Sequence, residues 1–198
     1  MISTTRRTFS FTLYFTRRFE ESASAFDEAI ELSEKNGDIN SLLIAQVYIS
    51  IAHRRLKDRQ AVHADTQALM GLLQKLSRNP EYNGVVEANL AWLAYCEGNL
   101  NDALHRAQTA NEIWQSLTSP YPMQWVGLIV LLALAVEAKK MDEVLIYARS
   151  LLHPIQQSLE PDVESALLST LEADPVDREL VLRLCHTAVE VAKQDGYL

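Results

Sequence analysis

The sequence predicts an all-α fold of stacked antiparallel helical hairpins, and three observations carry that prediction. The first is a recurring segment. Gly98 to Ala110, G-N-L-N-D-A-L-H-R-A-Q-T-A, opens a helix after a tight turn and sets Ala103, Ala107 and Ala110 on one face. Aligned on the small residue after the turn, Ser22, Ala64, Ala103 and Val144 follow one another at intervals of 42, 39 and 41 residues. A steady period in that range is the signature of a helical solenoid. The second is apolar spacing of the i+3/i+4 kind, seen in Leu100, Ala103, Ala107, Ala110, Trp114 and Leu117. The third is the lack of strand signals: no sustained period-two alternation, and no Asn-Gly hairpin between β-branched runs.

The elements follow in chain order from their punctuation. A helix over 5–17 reads as a damaged or truncated first helix, so residues 1–18 are set apart from a repeat domain over 19–198. Thr5-Arg6-Arg7-Thr8-Phe9 partly matches a twin-arginine export signal, and Ala23-Ser24-Ala25 could pass for a cleavage site. However, Arg17, Arg18, Glu20 and Glu21 interrupt the apolar run before that site, where an export signal stays uncharged. Gly37-Asp38 ends a helix over 19–35 and caps the next over 39–56. A helix over 58–77 precedes Asn79-Pro80-Glu81, a cap, a first-turn proline and an acid in order, which opens the helix 81–97. Val86, Leu90 and Ala94 form its stripe. The turn Glu97-Gly98-Asn99 joins it to 100–117 as an antiparallel hairpin, with Asn99 and Asp102 resembling a capping box. Pro120 and Pro122 force a break before 122–139, and Pro154 closes the helix 141–153. Asp174-Pro175 with Asp177 separates the last two helices, 161–173 and 176–195. Ten helices make five hairpins, each with an apolar side that only stacking can bury.

Composition bounds the function. Apolar residues make up 48% of the 198, too many for a disordered tail. The net charge is −8, and Arg6, Arg7, Arg17 and Arg18 sit in a first stretch without acids, leaving 14 basic against 26 acidic residues beyond it. So acidic a surface repels phosphate backbones, which excludes nucleic acid as the expected partner. The longest apolar run, Trp125 to Val136, has twelve residues, where a bilayer crossing takes about 20. No membrane association is expected, and that helix either buries every face or offers one to a partner. Cys96 and Cys185 read as buried reduced thiols of a cytoplasmic protein. The five histidines, His53, His63, His105, His153 and His186, form no ligand pair, so no metal is expected. Nucleophile, phosphate-loop and metalloprotease motifs are missing from the sequence. No catalytic residue and no cofactor is expected, and the chain reads as a non-enzyme.

Over Val85–Trp114 the pattern N-L-A-x-x-A-x-x-x-G-N-x-x-x-A-L-x-x-A-x-x-A resembles tetratricopeptide (TPR) repeats, through Leu90, Ala91, Ala94, Gly98, Ala103, Ala107 and Ala110. Residues 19–35 fit half a repeat through Phe19, Ser22, Phe26 and Ala29. The 44–71 repeat keeps Ala52, Ala64 and Ala68 without a turn glycine, and in 128–151 Lys139 replaces that glycine. The resemblance implies a TPR-like right-handed α-solenoid of about five hairpins. More narrowly, the long repeats and the ending Val-Ala-Lys-Gln-Asp-Gly-Tyr-Leu look like the C-terminal repeat region of large bacterial signalling ATPases of the cyclase and regulator types. The function implied is a protein–protein interaction module, the sensor or regulatory arm of a bacterial signalling protein or a truncated relative. A ligand-sensing domain and a decayed fragment are the alternatives.

In such repeats the first helix of each hairpin lines a concave face. The resemblance places Ile49, His53 and Leu56 there, then Ala88, Trp92 and Tyr95, then Ile129, Ala133 and Val136. A groove with these residues would take a helix or extended peptide, with Trp92 and Tyr95 as aromatic anchors. The alternative is a tightly wound array that closes over them as core. The clamp by which chaperone-binding relatives hold an acidic terminus is not evident beyond a loose match at Asn89. Homo-oligomers through an exposed array end are a further expectation.

Overall fold

The structure, a computed structural model, describes residues 2–76, 79–174 and 176–198, with side chains from residue 5 onward. The described residues form ten α-helices and no strand: α1 (Ile2–Phe15), α2 (Phe19–Asn36), α3 (Ile39–Arg55), α4 (Arg59–Lys75), α5 (Pro80–Cys96), α6 (Leu100–Gln115), α7 (Trp125–Glu137), α8 (Met141–Leu151), α9 (Pro161–Glu172) and α10 (Arg178–Gln194). The expected last residue of the fourth helix, Ser77, and the expected helix-breaking Pro175 lie outside the described residues. The seventh helix begins at Trp125 rather than 122. The Trp125 N–H donates to Oε1 of Gln156 at 3.2 Å, so the segment 152–160 caps it from outside.

One turn geometry joins the two helices of four successive hairpins. Arg17, Lys57, Gly98 and Lys139 all take positive φ, of 62°, 58°, 77° and 54°. In each turn the N–H of that residue donates three residues back, to Tyr14, Arg54, Tyr95 and Val136. The following N–H donates five back, to the carbonyls of Leu13, His53, Ala94 and Ala135. This paired bonding satisfies carbonyls that a helix end otherwise leaves bare. Glycine occupies the turn once. In the other three an arginine or lysine accepts the left-handed conformation, whose cost is about 1–2 kcal/mol for a side-chain-bearing residue.

The residue after each turn then starts a helix with a common buried stripe. Ser22, Phe26 and Ala29 on α2 correspond to Val62, Thr66 and Leu69 on α4, Ala103, Ala107 and Ala110 on α6, and Val144, Ala148 and Leu151 on α8, all buried. This corrects the sequence alignment at one repeat. Ala64 and Ala68 are exposed, and Val62 holds the position assigned to Ala64. The expected break between 39–56 and 58–77 does fall at Lys57, but with no glycine there the sequence aligns the stripe that follows two residues late. The side chains of Asp38, Asp58, Asn99 and Asp177 accept from Ser41, Ala61, Asp102 and Leu180 N–H at 3.0–3.4 Å, each cap being worth about 1 kcal/mol. Asp102 does not complete the reciprocal box with Asn99, because its carboxylate takes Arg106 Nε at 3.0 Å instead.

The chain divides into two compact units, Met1–Tyr82 and Asn83–Leu198. In the first, α1 packs on α2, α2 broadly on α3, α3 on α4, and α1 also reaches α3. Its core holds an aromatic cluster in which Phe11 meets Tyr48 edge-on at 4.5 Å and Phe26 at 5.5 Å. In the second, α6 to α10 pack in sequence, and α10 turns back onto α7 and α8. Every residue of Trp125–Val136 is buried, so the apolar α7 buries all its faces. Trp114 of α6 lies in a slot made by two glycines. A Cβ built on Gly84 would stand 2.3 Å from the indole Nε1, and one on Gly127 3.2 Å from Cζ3.

Candidate functional site

The nine residues expected to line a groove divide by burial. Ile49, Ala88, Trp92, Ile129, Ala133 and Val136 are buried; His53, Leu56 and Tyr95 are half-buried. For the six, the expected open wall is corrected: their helices bury that face inside the protein. Trp92 in particular is 1% exposed and serves as core, not as a presented anchor.

The turn register also realigns the first trio. Counting back from Lys57, Gly98 and Lys139, Ala88, Trp92 and Tyr95 match Ile129, Ala133 and Val136, but in α3 they match Val47, Ile51 and Arg54. The trio Ile49, His53 and Leu56 is displaced by two residues, the same displacement that put Ala64 in place of Val62. His53 instead corresponds to Leu13, Ala94 and Ala135, which are apolar and buried in the other three repeats.

Two polar groupings surround the accessible members. In the first unit, His53 Nδ1 lies 2.7 Å from Asp65 Oδ2, joining α3 to α4 with side chains only 18% and 13% exposed. The hydrogen bond to Asp65 raises the imidazole pKa, and the charges of Asp65, Asp27 and Asp58 add to it against an opposing desolvation. Desolvation and the charge of Asp65 in turn raise Asp27 on α2. Hydroxyls one turn away are committed elsewhere: Ser50, fully buried, donates to the Val47 carbonyl at 2.7 Å, and Thr66 donates to Val62 at 2.7 Å. In the second unit, the Tyr95 hydroxyl of α5 donates to Glu137 Oε1 at the end of α7, 2.9 Å away. Burial, followed by that bond, pushes the phenol far above its ordinary value, with Glu190 of α10 adding charge. Tyr95 therefore remains a neutral donor at any physiological pH.

Sequence reasoning singled out His53 and Tyr95 but neither partner. Asp65 and Glu137 are 12 and 42 residues from them, distances interpretable only once the turns are correctly placed. It also missed an open cleft of about 350 Å³ between α1 and α2, floored by Leu13 and Ala25 and rimmed by Arg6, Phe9, Glu20 and Glu28. Arg6 pairs with Glu28 across it. Cys185 is a core thiol, pushed up by burial to about 12, far too high for a nucleophile at neutral pH. Among the described residues no three His, Cys, Asp or Glu side chains gather to hold a metal ion, and no helix is long and apolar enough to cross a membrane. No protein-family model matches the chain, and no curated protein matches it in sequence.

Proposed function

We propose that this chain is a TPR-like, right-handed helical solenoid whose role is to bind a protein segment without catalysing a reaction. The observation supporting this most directly is the recurrent turn at residues 17, 57, 98 and 139, each followed by the same buried stripe. A repeat framework of that kind offers a succession of similar helix faces, which suits recognition of an extended or helical segment. Of the residues expected at the groove, His53, Leu56 and Tyr95 are the ones a partner could reach. Tyr95 and Glu137 present a neutral phenol and a carboxylate side by side, matching a partner segment that carries a basic residue beside an apolar one. The resemblance to repeat regions of bacterial signalling ATPases supports a sensor or regulatory arm as the setting.

The test compares wild type with Tyr95→Ala and Glu137→Ala in crosslinking from cells of the source organism, with circular dichroism confirming the fold. Proteins crosslinked by wild type and lost from both folded variants support the reading. Identical crosslinking profiles for all three overturn it. Trp92→Ala is the control for the opposite role. With its side chain in the core it should cost about 3–5 kcal/mol of stability, measured as a fall in melting temperature, so any lost binding there reports unfolding.

A further inference from the structure

His53 stands in a slot that the other three repeats fill with Leu13, Ala94 and Ala135. One repeat therefore carries a titratable ring where its equivalents carry apolar core. The ring is not isolated. It sits in the last turn of α3, where the carbonyl ends of the helix favour positive charge. It is held 2.7 Å from Asp65 of α4, and its other charged neighbours are Asp27 of α2 and Asp58, the cap of α4. Of the cations nearby on its own helix, Arg54 is buried and the Arg55 guanidinium lies over the Phe19 ring at 4.6 Å. The cation that α1 sends to α3, Arg7, bonds Ser41 at the opposite end of the helix. Among the described residues, the charges that raise the imidazole are the carboxylates of Asp65, Asp27 and Asp58.

The turn below it gives this contact something to act on. Lys57 closes the α3–α4 hairpin at a φ of 58°, a conformation that opposes closure for any residue with a side chain.

We propose that His53 is a protonation-controlled clasp: its imidazolium draws Asp65 of α4 onto α3, so that the α3–α4 hairpin of the first unit tightens as the ring takes up a proton. Deprotonation leaves a neutral ring that keeps at most the Nδ1–H···O bond to Asp65 and loses the charge–charge attraction to it. The sign follows from linkage. A histidine whose folded pKa exceeds its unfolded value contributes stability fully below the unfolded value of about 6.5, and that contribution is lost as pH rises through the folded value. The device is independent of whether the protein binds a partner.

Two measurements on the full chain test it. NMR titration of the imidazole Cε1–H signals, with His53 assigned by His53→Gln, should give wild-type His53 an apparent pKa above about 6.5 that falls in Asp65→Asn. Thermal unfolding of wild type and His53→Gln at about pH 6 and about pH 9 should show a melting-temperature gap wider by at least about 2 °C at the lower pH. Because both proteins carry the same remaining charges, the gap removes the general pH dependence of an acidic chain. A His53 pKa at or below 6.5, no response to Asp65→Asn, or a gap independent of pH would each overturn the clasp. If His53→Gln fails to fold, His53 is assigned in the wild type by through-bond correlation from its backbone, and the Asp65→Asn titration then decides.

Discussion

At the scale of single residues, two glycines inside helices have opposite meanings. Gly84 in α5 faces Trp114, and a Cβ there would stand 2.3 Å from Nε1 and 2.5 Å from Cε2. The indole is rigid and buried, so it cannot yield as the far end of a flexible chain would. Gly84→Ala should therefore lose more to overpacking than it gains in helix propensity, a net loss of about 1–3 kcal/mol. Gly71 in α4 has nothing within 4 Å of the same position. Gly71→Ala there should gain about 0.5–1 kcal/mol from backbone entropy alone. Chemical denaturation of the two variants beside wild type checks both signs, and a stabilised Gly84→Ala would mean that Trp114 does not fill this slot.

At the scale of elements, the hairpin turn is the unit that repeats, and it explains what the sequence disclosed and what it hid. Gly98 and the alanine stripe behind it announce their hairpin without ambiguity. The turns at Arg17, Lys57 and Lys139 share its conformation but not its residue, because a left-handed cap tolerates a long polar side chain at modest cost. Helix existence was readable at every element, and the break at residue 57 as well, while the register of the stripe failed by two residues where Lys57 takes the place of a turn glycine. That slip aligned His53 with Trp92 and Ala133 and concealed Asp65 as its partner. Burial of Trp92 was left open by the sequence for another reason: an apolar, aromatic helix face reads the same whether a partner or the next helix covers it. If strain at these turns is real, Lys57→Gly and Lys139→Gly should each be neutral to stabilising by up to about 1 kcal/mol, and Gly98→Ala should destabilise by about the same amount. Equilibrium unfolding of the three variants measures this, and a marked loss in either lysine variant would show that its side chain contributes more than the turn costs.

At the scale of the whole molecule, packing within each unit runs mainly between helices adjacent in sequence, and stability in such arrangements is a sum of local terms rather than one global one. The consequence can be observed because the three tryptophans, Trp92, Trp114 and Trp125, all lie in residues 83–198 and are all buried. Their emission reports the second unit, whereas far-ultraviolet circular dichroism reports all ten helices. Phe26, fully buried at the heart of the first unit's aromatic cluster, is the place to weaken one unit alone. Phe26→Ala should cost about 3–5 kcal/mol there. On heating, the variant should lose part of its helical signal first, while tryptophan emission keeps its native maximum until a second transition at higher temperature. If dichroism and emission instead move together, displaced equally from wild type, the two units melt as one cooperative block and the local description of stability fails.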